Sequence, residues 1–144
     1  MVGPKGWRDD PAAMEPHLKE WRGLWTGRTP AVVMPATTEE VAAVVTIASQ
    51  AGIALVPQGG NTGLVGGGVP TETGDELLIS LARMNRIRDV DAAGGSMVAE
   101  AGCILADVQA AAAEAGRLFP LSLASEGSAR IGGLISTNAG GVHV

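Results

Sequence analysis

The sequence predicts an α/β (α+β) fold, and three observations carry that expectation. A strand, a helix and a second strand follow one another between residues 31 and 57, a third aliphatic run lies at 77–80, and a second helical stripe spans 104–115. Taking the elements in order, residues 1–30 are polar and punctuated by Pro and Gly, with a short helix expected near Met14–Glu20. Trp21, Arg22, Trp25 and Arg28 mark this stretch as a segment that wraps onto a larger body formed by 31–144. Ala31-Val32-Val33-Met34 is a buried strand ended by Pro35. Thr37-Thr38-Glu39-Glu40 has the form of a capping box, with Thr37 as N-cap and Glu40 three residues on. Val41, Val44, Val45 and Ala48 then recur at helical spacing, and Gly52 supplies the stop.

Ile53–Pro57 is the second buried strand, and it completes a βαβ unit whose crossover is right-handed if the two strands are parallel neighbours. Leu77–Ser80 is a third strand. Ile87–Asp91 and Ser96–Glu100 flank Ala92-Ala93-Gly94-Gly95 and read as a hairpin. Ile104, Leu105, Val108, Ala111, Ala112 and Ala115 form the second helical stripe, closed by Gly116. Ile104 stands where a hydroxyl cap would be worth about 1 kcal/mol. Residues 117–144 are expected to be irregular.

Composition narrows the function classes. Ten Lys and Arg against 15 Asp and Glu leave a net charge of −5, which disfavours nucleic acid or anionic lipid as the main partner. No apolar run approaches the ~20 residues of a membrane span. Met1-Val2-Gly3-Pro4-Lys5 is not the start of a secretory signal, and Cys103 is a lone cysteine, so a cytoplasmic setting with no metal site is expected. Glycine occurs 21 times, about double the usual ~7% share, while the aromatics are only Trp7, Trp21, Trp25 and Phe119. A ligand on such a chain is held by backbone amides and small side chains.

The most informative segment is Pro57-Gln58-Gly59-Gly60-Asn61-Thr62-Gly63-Leu64-Val65-Gly66-Gly67-Gly68. Six of the ten residues from 59 to 68 are glycine, directly after a strand. Consecutive N–H groups in such a run converge on an anion, because glycine admits positive φ and has no Cβ to block approach. Asn61 and Thr62 add side-chain donors. A flexible linker would favour serine and would lack Leu64 and Val65. The run has no lysine for a P-loop and lacks the Gly-x-Gly-x-x-Gly spacing of a Rossmann turn.

A second cluster, Ser125 to Gly141, contains Gly132-Gly133, which weakens a helix by ~1 kcal/mol per glycine. It reads equally as a backbone laid against something flat and as a glycine-rich tail. Arg130 is expected to be a solvated charge, His17 to sit on an exposed helix, and Cys103 to be a buried packing residue. His143 has no partner that would make a triad or a metal site.

Together the run 57–67, Ile79-Ser80-Leu81-Ala82-Arg83-Met84-Asn85-Arg86-Ile87, Glu100-Ala101-Gly102, Phe119-Pro120-Leu121, Gly127–Gly133 and Thr137-Asn138-Ala139-Gly140-Gly141 resemble the vanillyl-alcohol-oxidase/p-cresol-methylhydroxylase (PCMH) flavoprotein superfamily. Within it, the motifs are most similar to the FAD-linked D-2-hydroxyacid dehydrogenases. The resemblance implies the first subdomain of a PCMH-type FAD-binding fold plus the start of the second, over residues 31–144.

It implies that Gly59, Gly60, Asn61, Thr62, Gly63, Gly67 and Gly68 hold the FAD diphosphate. Pro120, Gly127, Ser128, Ile131, Gly132, Gly133, Thr137 and Asn138 line the flavin and ribityl side, with Gly140 and Gly141 near the phosphates. Asn61 stands where relatives with covalent flavin often have histidine, so the FAD is expected to be non-covalent. In a complete enzyme a small D-2-hydroxy acid would give hydride to the flavin and its hydroxyl proton to a base. The resemblance puts that base, the substrate-binding arginine and any metal ligands in a substrate domain beyond these residues, so no catalytic residue is assigned and no turnover by this chain alone is expected. The alternatives are a noncatalytic remnant, or one chain of a split flavoenzyme that holds FAD only with a complementary chain.

Overall fold

The computed structural model describes residues 2–143. A four-stranded sheet carries the first half of the chain. Strand β1 (Trp7–Arg8) lies antiparallel to β2 (Val32–Val33) in the register Trp7↔Val33. Between them, helix α1 (Pro11–Met14) runs into a single 3-10 turn, Glu15–His17. The helix thus begins before the expected Met14. Asp10 caps it by accepting the Ala13 N–H at 3.0 Å, and Pro11 supplies the fixed φ of a first helical residue.

Helix α2 (Thr38–Ala51) has the predicted ends. The Thr37 hydroxyl accepts the Glu40 N–H at 3.2 Å, the Glu40 carboxylate accepts the Ala36 N–H at 2.6 Å, and Gly52 closes the helix at φ +66°. Val44 and Ala48 are its buried face.

Strand β3 (Leu55–Gln58) and strand β4 (Leu77–Ser80) complete the sheet in the order β1-β2-β4-β3. Strands β2 and β3 are therefore parallel but not neighbours. Strand β4 lies between them, pairing Val32↔Leu78 on one side and Val56↔Leu78 on the other. The physical reason is burial: β4 is the most apolar strand, with Leu78 and Ile79 fully enclosed, and takes the central position. Pro57 lacks an N–H and is accommodated because β3 is an edge. Met14, Val32 and Leu78 pack as one core cluster beside this sheet.

The hairpin β5 (Ile87–Asp91) and β6 (Ser96–Ala99) forms as expected, with the Asp91 side chain accepting the Gly94 N–H at 2.8 Å in the turn. Helix α3 (Leu105–Glu114) and helix α4 (Ile131–Ser136) build the second core with Leu105, Leu121, Ala129 and Leu134. Helix α4 corrects the irregular reading of 117–144. Its Gly132-Gly133 pair has poor intrinsic propensity, and tertiary contact overrides it. Ile104 offers α3 no side-chain cap, yet the Leu105 and Ala106 N–H groups reach the carbonyls of Ala129 at 2.9 Å and Glu126 at 3.0 Å. The second glycine cluster thus replaces the missing hydroxyl.

Cys103 is buried, and desolvation raises its thiol pKa, as fits a packing residue. Glu100 is also buried and joins the hairpin to the loop that follows it. Its carboxylate accepts from Arg86 Nη2 at 2.9 Å, the Arg86 N–H at 2.9 Å and Arg88 Nη2 at 2.9 Å. The Arg86 side chain and N–H, then Arg88, lower its pKa from 4.5 to about 2 against the opposing effect of burial. Because the folded pKa lies below the unfolded one, this carboxylate stabilises the fold above pH about 4.5, and the contribution is lost as pH falls toward 2. Thermal unfolding from pH 6 to pH 2.5 is expected to show a steep acid loss in the wild type. Glu100→Gln should be less stable at pH 6 and should lose less on acidification.

Candidate functional site

The C-terminal end of β3 delivers the chain into the glycine run, and α4 delivers the second cluster against it. A Cβ on Gly59 would stand 3.4 Å from Arg130 Cβ and 3.8 Å from the Gly133 nitrogen. A Cβ on Gly60 would collide with the Ser128 carbonyl. On Gly132 it would lie 2.8 Å from Ala101 Cβ. The second cluster is therefore a backbone laid against another backbone, not a tail.

Between the two clusters runs a groove of about 450 Å³. Gly59, Gly60, Asn61, Thr62, Gly63, Gly67 and Gly68 line one wall, and Gly132, Gly133 and Thr137 line the other. Gly127 and Ser128 line an adjoining cavity of about 300 Å³ that shares Gln58, Gly59, Gly60, Asn61 and Arg130 with the groove. Pro120, Ile131 and Asn138 line neither cavity, and nor do Gly140 and Gly141. Ile131 packs against the second core, Asn138 ends α4 at φ +48°, and a Cβ on Gly141 would meet the Ser122 carbonyl.

The glycines divide their work. Gly66 is the one glycine of the run with a positive φ, +74°, and its open face lies under the Trp25 ring. Gly59 and Gly60 admit the facing backbone. At Gly63, Gly67 and Gly133 a Cβ would meet no protein atom, so these residues leave the groove clear. Absence of side-chain volume, more than left-handed backbone, explains the composition. Among the described residues, no protein hydrogen bond uses a main-chain N–H from Gly59 to Gly68. An anion-binding loop would need main-chain donors left without a protein acceptor in this way.

Three side chains differ from their sequence reading. Asn61, at φ +53°, points its amide away from donor duty in the groove: Nδ2 donates to the carbonyls of Lys19 at 2.8 Å and Pro16 at 3.2 Å. His17 is half-buried, because its Nδ1 meets Gln58 Oε1 at 2.6 Å and draws the ring inward. Arg130 is half-buried and lines both cavities, because its Nη1 donates to the Gly102 carbonyl. Its buried Nε has no hydrogen-bond partner. It is the one cation among the residues lining the groove.

Sequence reasoning also missed Gln58 and Glu20. Gln58 directly precedes the glycine run, which was an available signal. Its Nε2 donates to Gly68 O at 2.7 Å and His17 O at 2.9 Å. Glu20 is 1% exposed in the groove wall, and no local pattern marks it. Burial alone would raise its pKa; the N–H groups of Arg22 and Leu24 and the Arg22 charge outweigh that and lower it.

The groove thus combines main-chain donors that have no protein acceptor with one guanidinium among its lining residues. A family model described as FAD binding domain matches residues 29–144, and the chain belongs to that family, whose cofactor is FAD. The chain is 39% identical over 143 residues to a probable mitochondrial D-2-hydroxyglutarate dehydrogenase of Oryza sativa subsp. indica, covering 99% of this chain and 25% of that protein. It is 41% identical over 137 residues to D-2-hydroxyglutarate dehydrogenase of Xanthomonas citri pv. viticola, covering 95% and 29%. The chain thus spans about a quarter of these relatives' length.

Among solved structures, an alkyldihydroxyacetonephosphate synthase superposes with a TM-score of 0.86 at 22% identity, over 96% of this chain and 28% of that one. A 6-hydroxy-D-nicotine oxidase from Arthrobacter nicotinovorans gives 0.71 at 20% identity, over 85% and 26%. These likenesses establish the fold, the FAD-binding PCMH type. No helix among the described residues is long and apolar enough to cross a membrane.

Proposed function

We propose that the chain is the FAD-holding portion of a flavin-dependent oxidoreductase that converts a D-2-hydroxy acid to the 2-oxo acid. The observation that carries this reading is the run of N–H groups from Gly59 to Gly68 without a protein acceptor, in a segment that lines a glycine-rich groove. The names of the relatives support the substrate class.

In this reading the amides of Gly59, Gly60, Thr62, Gly63, Gly67 and Gly68 hold the diphosphate, and Asn61 fixes the loop's shape. Gly127, Ser128, Gly132, Gly133 and Thr137 bound the flavin and ribityl side, whereas Pro120, Ile131, Asn138, Gly140 and Gly141, which line neither cavity, are assigned no contact with the cofactor. FAD, when bound, supplies two-electron oxidation of an alcohol carbon. Attachment is non-covalent, since Asn61 is not a nucleophile and Cys103 is buried outside the groove. In this reading no described residue is assigned to abstraction of the hydroxyl proton or to binding of the hydroxy acid.

A second reading is favoured by the groove's rim. Val65 is 78% exposed and Ile135, beside the lining residues Leu134 and Ser136, is 74% exposed. An apolar rim of this kind fits a complementary chain that covers the groove and without which FAD is lost.

Titration of FAD into the chain, followed by flavin fluorescence, separates the two. Saturable binding supports the first reading, and binding only on addition of a covering chain supports the second. Arg130→Met is expected to weaken FAD binding about tenfold at low salt, with the difference shrinking as salt rises. Equal affinities at all salt concentrations would remove Arg130 from the cofactor site.

A further inference from the structure

The family domain begins at residue 29, yet the outer edge of its glycine loop is held by residues that precede it. Asn61 is tied to the carbonyls of Pro16 and Lys19, and Gln58 to that of His17. Farther out, Arg22 Nη2 donates to the Leu64 carbonyl, and the Trp25 ring covers Gly66 so closely that a Cβ there would come within 2.8 Å of it. The Arg22 guanidinium lies 5.5 Å from the centre of the same ring. Arg22 is itself oriented by buried Glu20: its Nε stands 3.5 Å from Glu20 Oε2, and that carboxylate also accepts the N–H groups of Arg22 at 2.8 Å and Leu24 at 2.5 Å.

A loop of six glycines in ten residues has little intrinsic stiffness, and ordering it on binding would cost affinity. We propose that residues 16–25 are a strap that holds the loop in its ligand-ready shape before FAD arrives, with Arg22 as the positioning residue at its tip. The inference rests on the FAD reading above. Arg22 is absent from the groove's lining and acts through the Leu64 carbonyl and Trp25.

The test uses the 144-residue chain and compares wild type, Arg22→Met, Arg22→Lys and the double variant Arg22→Met/Glu20→Gln. FAD affinity is read by flavin fluorescence, and NMR order parameters of Gly63, Gly66 and Gly67 are read without cofactor. Arg22→Met is expected to weaken FAD binding about tenfold and to drop those order parameters from about 0.85 toward 0.6; its thermal midpoint falls because buried Glu20 loses its partner, and the double variant recovers the midpoint but neither affinity nor order. Arg22→Lys restores part of both.

Wild-type affinity and order in Arg22→Met would overturn the proposal. So would full rescue of affinity by Glu20→Gln, which would show that an exposed carboxylate charge, rather than loop shape, caused the loss. If Arg22→Met does not fold, Trp25→Leu decides the same question, since it frees Gly66 and leaves the Glu20–Arg22 pair intact. A wild-type chain that binds no FAD even with a covering chain added would overturn the cofactor reading, while the order parameters would still decide the strap.

Discussion

Gly60→Ala is expected to destabilise the chain by about 3 kcal/mol and to abolish FAD binding with it. The added methyl would run into the Ser128 carbonyl and stand 2.8 Å from its carbon and 3.2 Å from Ala129 Cα. These are main-chain atoms, fixed because Ala129 is 1% exposed in the second core and its carbonyl holds the first N–H of α3. Relief therefore requires separating the two glycine clusters. The measurement is thermal or urea unfolding beside Gly63→Ala, whose methyl meets no protein atom and which should stay within about 0.5 kcal/mol of wild type. Equal stability of the two variants would mean that the backbones do not touch at Gly60.

The second large effect separates binding from stability. Gly133→Ala places a methyl on α4 where no protein atom lies within 4 Å, in a residue that lines the groove. The cofactor-free protein should gain up to about 1 kcal/mol from the better helix former, while FAD binding weakens at least tenfold, by roughly 1.4 kcal/mol or more. Gly132→Ala, one residue earlier, should do the reverse in the apo protein: its methyl would crowd Ala101 Cβ at 2.8 Å and lower stability. Calorimetry of the two variants with and without FAD reads all four values. Wild-type FAD affinity in Gly133→Ala would remove this face of α4 from the cofactor site.

What could be read from the residues follows from the range of the signals. The Thr37 cap, the Gly52 stop and the 87–99 hairpin are local, so the sequence places them to within a residue or two. The central position of β4 is a property of the whole sheet and depends on which strand is enclosed on both faces. Helix α4 escaped because Gly132 and Gly133 argue against a helix unless the opposing wall is already known. Glycine density marked the segment that lines the groove, but the expected reason was incomplete: among these glycines only Gly66 has a positive φ, while Gly59 and Gly60 admit a facing backbone and Gly63 and Gly67 leave open space. Arg130 and His17 look like solvated polar residues in one dimension, and only the tertiary fold brings each against Gly59 or Gln58. Residues 20–25 gave the impression of a wrapping segment through their tryptophans, without indicating that Arg22 reaches Leu64.

The contact of Gly60 with Ser128 has one further consequence. Its spacing is set by peptide units, which have no rotamers through which to yield, whereas an interface of leucines adjusts by repacking. The contact therefore sets a floor beneath which the two glycine clusters cannot approach, however the surrounding aliphatic core repacks.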